Sequence, residues 1–176
     1  MDAPFTKINM SMFMTYVTLL SCNFFGKRKG LLAKRLNLIN KFLGAVTFNT
    51  SLAVALPWES TRFLYPEAAK HLIEKSLHNY NISRPVFEFL NFTVHIFPVL
   101  YLWNVQKHWQ QYSSNKYSVL VSLLIHGLWV KIVPNHYNLN RIYMYGDPIL
   151  NDRNWAVLWI LSLCAHTFQY SKSKII

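Results

Sequence analysis

Charged residues are scarce in this sequence, and acidic residues are the scarcest. Asp, Glu, Lys and Arg make up 14% of the 176 residues, whereas about a quarter is usual in a soluble domain. There are seven acidic and 18 basic residues, which gives a formal net charge of +11. The low charge, together with 52% hydrophobic residues, argues against an ordinary soluble enzyme, and 16% aromatic residues argue against disorder.

Further absences exclude particular kinds of chemistry. Cys22 and Cys164 are too few and too far apart for a disulfide scaffold or a redox motif. No two histidines stand four residues apart, so a zinc-protease helix is not indicated, and P-loop, dinucleotide-binding and nucleophile-elbow motifs are also missing. The basic residues lie between apolar segments, which does not favour nucleic acid. We expect no metal, no cofactor and no nucleic-acid partner.

Five apolar segments are each near the length that a helix needs to cross a bilayer, about 20 residues. Since backbone polar groups in lipid must be bonded internally, the predicted fold is all-α: a polytopic helical membrane bundle of about five transmembrane helices, forming a single domain over 1–176. The spans are short, which suits the thin bilayer of the endoplasmic reticulum. The predicted spans cover approximately 8–25, 42–58, 86–103, 117–133 and 154–170.

The basic residues between the spans predict the orientation. The connection after the first span holds Lys27, Arg28, Lys29, Lys34, Arg35 and Lys41 and no acid. By the positive-inside rule this connection is cytosolic, so an odd number of spans gives a luminal amino terminus and a cytosolic carboxyl terminus. Lys172 and Lys174 in the tail KSKII are similar to a dilysine retrieval signal. This tail predicts recognition by coat-protein retrieval machinery and residence in the endoplasmic reticulum membrane.

The third span carries the densest group of polar residues. Arg84, Glu88, Asn91 and His95 are separated by four, three and four positions, so they share one helical face. Ionisable residues at membrane depth are costly and are candidates for function. If the protein is an enzyme, a Ser or Thr hydroxyl activated by an intramembrane histidine is the expected nucleophile. Pro98, nearly one turn later, is expected to kink the helix and free a carbonyl.

Polar residues in the other spans are expected to serve mainly in packing. Hydroxyls in membrane helices usually bond across helices or to the carbonyl four residues back. Between the second and third spans, Pro66 predicts the start of a short amphipathic helix over PEAAKHLIEKSLHNY that could lie on a membrane surface. The interior polar residues are Thr47, Asn49, Thr50 and Ser51 in the second span, Ser118, Ser122, His126 and Lys131 in the fourth, and Ser162 and His166 in the fifth.

Two motifs in this order and spacing carry a resemblance to a known family. PFTKINM supplies Thr6 and Asn9, and LNFTVHIFP supplies Asn91, His95 and Pro98. The chain resembles the androgen-induced (FAR/AIG-like) family of small multi-pass membrane proteins, which includes the androgen-dependent regulator. Family members studied as enzymes are threonine hydrolases of fatty acid esters of hydroxy fatty acids. The resemblance implies that Thr6 is a nucleophile, that His95 is its base and that the substrate is a lipid ester.

The sequence also departs from the family pattern. The family usually has a further span ahead of the threonine motif, whereas this sequence begins near that motif. From spacing alone, Asn91 or Glu88 could orient His95, and Arg84 could stabilise an oxyanion, although an Arg84–Glu88 helical ion pair would explain both charges without catalysis. The predicted spans place Thr6 and His95 about 10 to 15 Å apart in depth.

Two further classes of function remain open at this point. The first is a non-catalytic lipid-binding or scaffolding membrane protein of the same fold. The second is a small transporter, in which His126, Lys131 and His166 could line a polar path between the two sides of the membrane.

Overall fold

The computed structural model describes residues 4–25, 31–109 and 115–136, together with positions 160, 161, 164, 165 and 167. Over these residues the chain is helical and contains no strand, which confirms the all-α prediction. The elements are α1 (Pro4–Phe25), α2 (Leu31–Leu64), α3 (Pro66–Tyr80), α4 (Arg84–Asn91), a π-helical segment (Phe92–Ile96), α5 (Phe97–Trp109) and α6 (Lys116–His136).

Two helices in the described part of the chain are long and apolar enough to cross a membrane. They are Ala33–Leu64 in α2 and the continuous stretch Arg84–Gln106 through α4, the π-helical segment and α5. These helices contain the second and third predicted spans. The predicted spans 8–25 and 117–133 fall on α1 and α6, and the fifth, 154–170, lies mostly outside the described residues, so the five-span arrangement stays a prediction.

Helix α2 is longer than its predicted span and forms the centre of the fold. It begins at Leu31, so Lys34, Arg35 and Lys41, expected in a connection, lie on its first three turns. The segment between Leu31 and Leu43 contains no Gly or Pro, and nothing in it ends a helix. Over its 34 residues α2 is about 50 Å long. It packs against α1, α3, α5, α6 and the π-helical segment, and residues 44–51 are buried without interruption.

Helix α2 runs antiparallel to the stretch formed by α4 and α5. Near its carboxyl end, Arg62 pairs with Glu88 at the start of that stretch, 3.1 Å between Nη2 and Oε1. Near its middle, Phe48 contacts Trp103, with 6.1 Å between the ring centroids.

Helix α1 is antiparallel to α2 as well. Asn9 lies beside Ser51, whereas Tyr16, two turns later, belongs to the same buried cluster as Ala45. Because α1 and α5 are each antiparallel to α2, they are parallel to each other. The hydrophobic core lies between these three helices and comprises Phe13, Tyr16, Ala45, Phe48, Leu102 and Val105.

Helix α3 begins at Pro66 and ends at Tyr80, which confirms the predicted short helix. Proline suits this position because the first helical turn needs no backbone donor. Asn81 ends the helix in the left-handed conformation, with φ of 47°. Ala68, Ala69 and Ile73 are buried, so the apolar face of α3 packs against the protein, chiefly α2, rather than being free for a membrane surface.

Besides its hydrophobic core, the described part of the chain buries many uncharged polar side chains and exposes many large apolar ones. Uncharged polar side chains that are at most 6% exposed include Thr6, Asn9, Asn40, Thr47, Asn49, Thr50, Ser51, Thr61, Asn91, Ser118 and Ser122. Large apolar side chains more than half exposed include Met14, Leu38, Phe63, Phe89, Leu100 and Leu124. Soluble proteins usually bury the apolar class and expose the polar one.

Candidate functional site

The π-helical segment carries His95 and ends at Ile96, two residues before Pro98. A proline cannot donate to the carbonyl four residues back, and its ring clashes with that carbonyl. The wider π turn relieves this conflict, and the backbone N–H of Phe97 donates to the carbonyl of Phe92, five residues earlier. Pro98 therefore acts by widening the helix at His95. Such π turns occur frequently at functional sites.

The His95 ring is fixed by a hydrogen bond and by a stacked aromatic ring. His95 Nδ1 lies 2.7 Å from Asn91 Oδ1. Since an amide oxygen only accepts, Nδ1 carries the proton and Nε2 carries the lone pair. The indole ring of Trp58 stacks on the imidazole from α2, with 5.9 Å between centroids and 27° between planes. This arrangement leaves Nε2 as the basic nitrogen of a held ring.

Glu88 and Arg84 are not part of this arrangement. Glu88 is one turn from Asn91, but its carboxylate pairs with Arg62 of α2 at 3.1 Å, and the Arg84 side chain is exposed. The helical Arg84–Glu88 ion pair considered from spacing is replaced by a pair between two helices. Of the two candidates for orienting His95, Asn91 makes the contact and Glu88 does not.

Thr6 lies in the first turns of α1 and is 6% exposed. Its position is on the same face of α1 as Asn9, Phe13 and Tyr16, which are also buried. Within the described residues, no hydrogen bond joins Thr6 to His95. The structure therefore buries the threonine without bringing it into a direct hydrogen bond with the imidazole.

The helix register brings Thr6 and His95 to similar depths. Phe13 of α1 contacts Phe97 and Tyr101 of α5, with 6.0 and 5.5 Å between ring centroids. Thr6 precedes Phe13 by seven residues, about 10 Å along the helix, and His95 precedes the two α5 rings by two and six residues, about 3 to 9 Å. Because α1 and α5 are parallel, their difference in depth is about 2 to 8 Å, less than predicted from the spans alone.

A second polar group lies between α1 and α2. Asn9 Oδ1 accepts hydrogen bonds from Thr50 Oγ1 at 2.9 Å and from Ser51 Oγ at 3.0 Å. Thr50 Oγ1 also approaches the carbonyl of Val46, four residues back, at 3.1 Å. Ser51 confirms the predicted hydroxyl bonding across helices, and Thr15 and Thr18 of α1 confirm the predicted bonding to the carbonyl four residues back. Asn9 was singled out only as a motif residue, and nothing in the sequence indicated its partners.

Several buried polar atoms of α1 and α2 have no hydrogen-bond partner within the described part of the chain. Each unmade hydrogen bond of a buried group costs about 1 to 3 kcal/mol, and such groups call for an explanation. Trp58 beside His95 belongs to this set, as do Asn9 and Thr47 at the α1–α2 contact. The atoms are Asn9 Nδ2, both amide atoms of Asn40 and Asn49, Thr47 Oγ1, Trp58 Nε1 and Glu59 Oε1.

The remaining candidate residues do not extend the site. Ser118, Ser122 and His126 are buried at four-residue spacing on α6, which packs against α2. The part of the chain that the structure describes holds no group of three or more His, Cys, Asp or Glu residues that could bind a metal. Lys131, Ser162, His166 and the retrieval lysines Lys172 and Lys174 lie outside the residues whose side chains are described.

No protein-family description, curated protein or solved structure matches this chain.

Proposed function

We propose that this protein is a polytopic membrane protein. The main support is the number of large apolar side chains on the surface, together with the uncharged polar side chains buried between the helices, which suits a lipid surrounding. The helical stretch Arg84–Gln106 strengthens the proposal, because only 22% of its apolar segment is buried inside the protein. The core helix of a soluble protein would be mostly covered. The proposal includes five spans, a luminal amino terminus and a cytosolic tail whose Lys172 and Lys174 serve retrieval to the endoplasmic reticulum.

Within this membrane bundle, we propose that the protein hydrolyses lipid esters. Thr6 Oγ1 would attack the ester carbonyl carbon while His95 Nε2 takes the hydroxyl proton. His95 would then give that proton to the departing alcohol, leaving an acyl-threonine. His95 Nε2 would next take a proton from a water molecule, which attacks the acyl-threonine and releases the fatty acid. His95 would then return this proton to Thr6 Oγ1. The androgen-induced family resemblance supplies Thr6 and His95, and fatty acid esters of hydroxy fatty acids are the proposed substrate class.

The single observation that carries this proposal is the hydrogen bond between His95 and Asn91. It holds a histidine in one tautomer, with its second nitrogen basic, on a π turn inside an apolar helix. General bases are commonly oriented in this way by a third group. The small difference in depth between Thr6 and His95 favours the same pairing. The two atoms must come within about 3 Å of each other when substrate is bound.

The test is ester hydrolysis by the purified full chain in lipid nanodiscs. We expect Thr6→Val and His95→Gln each to lower turnover at least about 100-fold, because each removes a group that takes part in bond formation or proton transfer. Thr18→Val is the matched control, since the Thr18 hydroxyl is exposed on α1 and donates to the carbonyl of Met14 in its own helix. If Thr6→Val and His95→Gln both hydrolyse the ester as fast as Thr18→Val, the proposed hydrolase activity is refuted.

A further inference from the structure

The uncharged polar group between α1 and α2 has the properties of a binding site. Asn9 and Thr47 are 1% and 0% exposed, yet Asn9 Nδ2 and Thr47 Oγ1 have no partner among the described residues. Thr47 lies one turn before Ser51, on the same face of α2, and Ser51 bonds to Asn9. Thr47 is therefore on the face of α2 that contacts Asn9, so the two unpartnered groups belong to the same region of the α1–α2 contact.

The available atoms define what such a site would hold. Asn9 Oδ1 is occupied by Thr50 and Ser51, so the Asn9 amide offers two N–H donors. The Thr47 hydroxyl offers one donor and two acceptor positions. A ligand with a carbonyl or hydroxyl oxygen as acceptor and a hydroxyl as donor would complete both groups.

Charge narrows the class of ligand further. The four side chains of the group, Asn9, Thr47, Thr50 and Ser51, are all neutral. A carboxylate or phosphate placed against them would lose its hydration without gaining a countercharge, which is strongly unfavourable away from water. The site thus suits an uncharged headgroup, and the large apolar side chains exposed on the bundle suit a ligand that carries a hydrocarbon chain.

We propose that Asn9, Thr47, Thr50 and Ser51 form a binding site for the hydroxyl-bearing headgroup of a neutral lipid, of the monoacylglycerol type. Ser51 precedes Trp58 by seven residues, about 10 Å along α2, whereas Asn9 lies about one turn after Thr6 on the same face of α1. The site therefore adjoins Thr6 but shares no residue with the proposed catalytic pair. The proposal rests on the membrane placement in the proposed function, and it does not depend on ester hydrolysis.

The experiment measures photocrosslinking of the full chain in nanodiscs by a diazirine-labelled monoalkylglycerol, which has the same hydroxyls as a monoacylglycerol but an ether bond that a lipid ester hydrolase does not cleave. Unlabelled monooleoylglycerol is expected to compete, whereas oleate at a pH where it is ionised is not. Thr47→Val removes the hydroxyl at nearly constant volume and should weaken binding about tenfold, the effect of one lost hydrogen bond. Thr47→Ser keeps the hydroxyl and should bind like the natural protein, as should the control Thr18→Val.

A second measurement guards against a folding artefact. Thr47→Val and Thr47→Ser should unfold thermally at similar temperatures in the same nanodiscs, so that a difference in crosslinking reports the hydroxyl rather than the stability of the fold. Equal crosslinking of Thr47→Val and Thr47→Ser would overturn the proposal, as would competition by oleate as strong as that by monooleoylglycerol. His95→Gln should bind the probe normally, so loss of hydrolysis and loss of binding can be told apart.

Discussion

Asn91 provides the sharpest test of how the His95 base is held. The Asn91 side chain is 1% exposed, and its oxygen is 2.7 Å from His95 Nδ1. Asn91→Leu is similar in size but offers no acceptor, so the imidazole N–H is left unpaired and the ring is free to turn. We expect a loss of about 1 to 3 kcal/mol in stability from the unpaired donor. Ester turnover should fall about 100-fold, which corresponds to about 2.7 kcal/mol in the barrier.

The assay compares turnover and thermal unfolding of Asn91→Leu and Asn91→Asp in nanodiscs. Asn91→Asp keeps an acceptor in the same place, so we expect turnover within about tenfold of the natural protein, against about 100-fold below it for leucine. The loss should be in kcat, since substrate binding does not use Asn91. The neighbouring Thr93→Val is the control, because that hydroxyl donates to the carbonyl of Phe89 in its own helix. Full turnover by Asn91→Leu would refute the orienting role.

Three further predictions concern the membrane, the ion pair and the π turn. Leu100 is 54% exposed and faces lipid in our account. Leu100→Asp should therefore oppose membrane insertion by about 3 kcal/mol and reduce the amount of protein recovered with the membrane fraction. An unchanged amount would contradict a lipid contact. Arg62 and Glu88 are 31% and 34% exposed. A double-mutant cycle followed by thermal unfolding should therefore give a coupling energy of about 1 kcal/mol or less. A coupling energy of several kcal/mol would show that the ion pair is shielded from water. Pro98→Ala restores the missing backbone N–H, so it should raise the melting temperature. It should also displace His95 and lower ester turnover. Unchanged turnover would show that activity does not depend on the π turn.

Features that depend only on residues close together in the sequence could be predicted, namely the bounds of α3 and the contact between Asn91 and His95. Pro66 and the amphipathic pattern after it correctly predicted α3 from its first residue to its last. The spacing of four between Asn91 and His95 placed both on one face, and the structure joins them. A helix fixes which residues share a face within a few turns, so these contacts can be read from the sequence.

Contacts between helices could not be predicted in the same way. Arg62 and Trp58 belong to α2, and only the register of α2 against the next helices brings them to Glu88 and His95. The π turn was also missed: Pro98 indicated a disturbed helix, but a kink and a π turn relieve the same clash. The early start of α2 shows that a basic, polar segment continues a helix when no residue ends it.

The most direct test of the proposed chemistry is covalent labelling of the full chain with a fluorophosphonate, followed by peptide mass spectrometry. We predict a single labelled hydroxyl, that of Thr6, and loss of the label in both Thr6→Ala and His95→Ala. Labelling of Thr6 that persists without His95, or hydrolysis that persists without Thr6, would contradict the account.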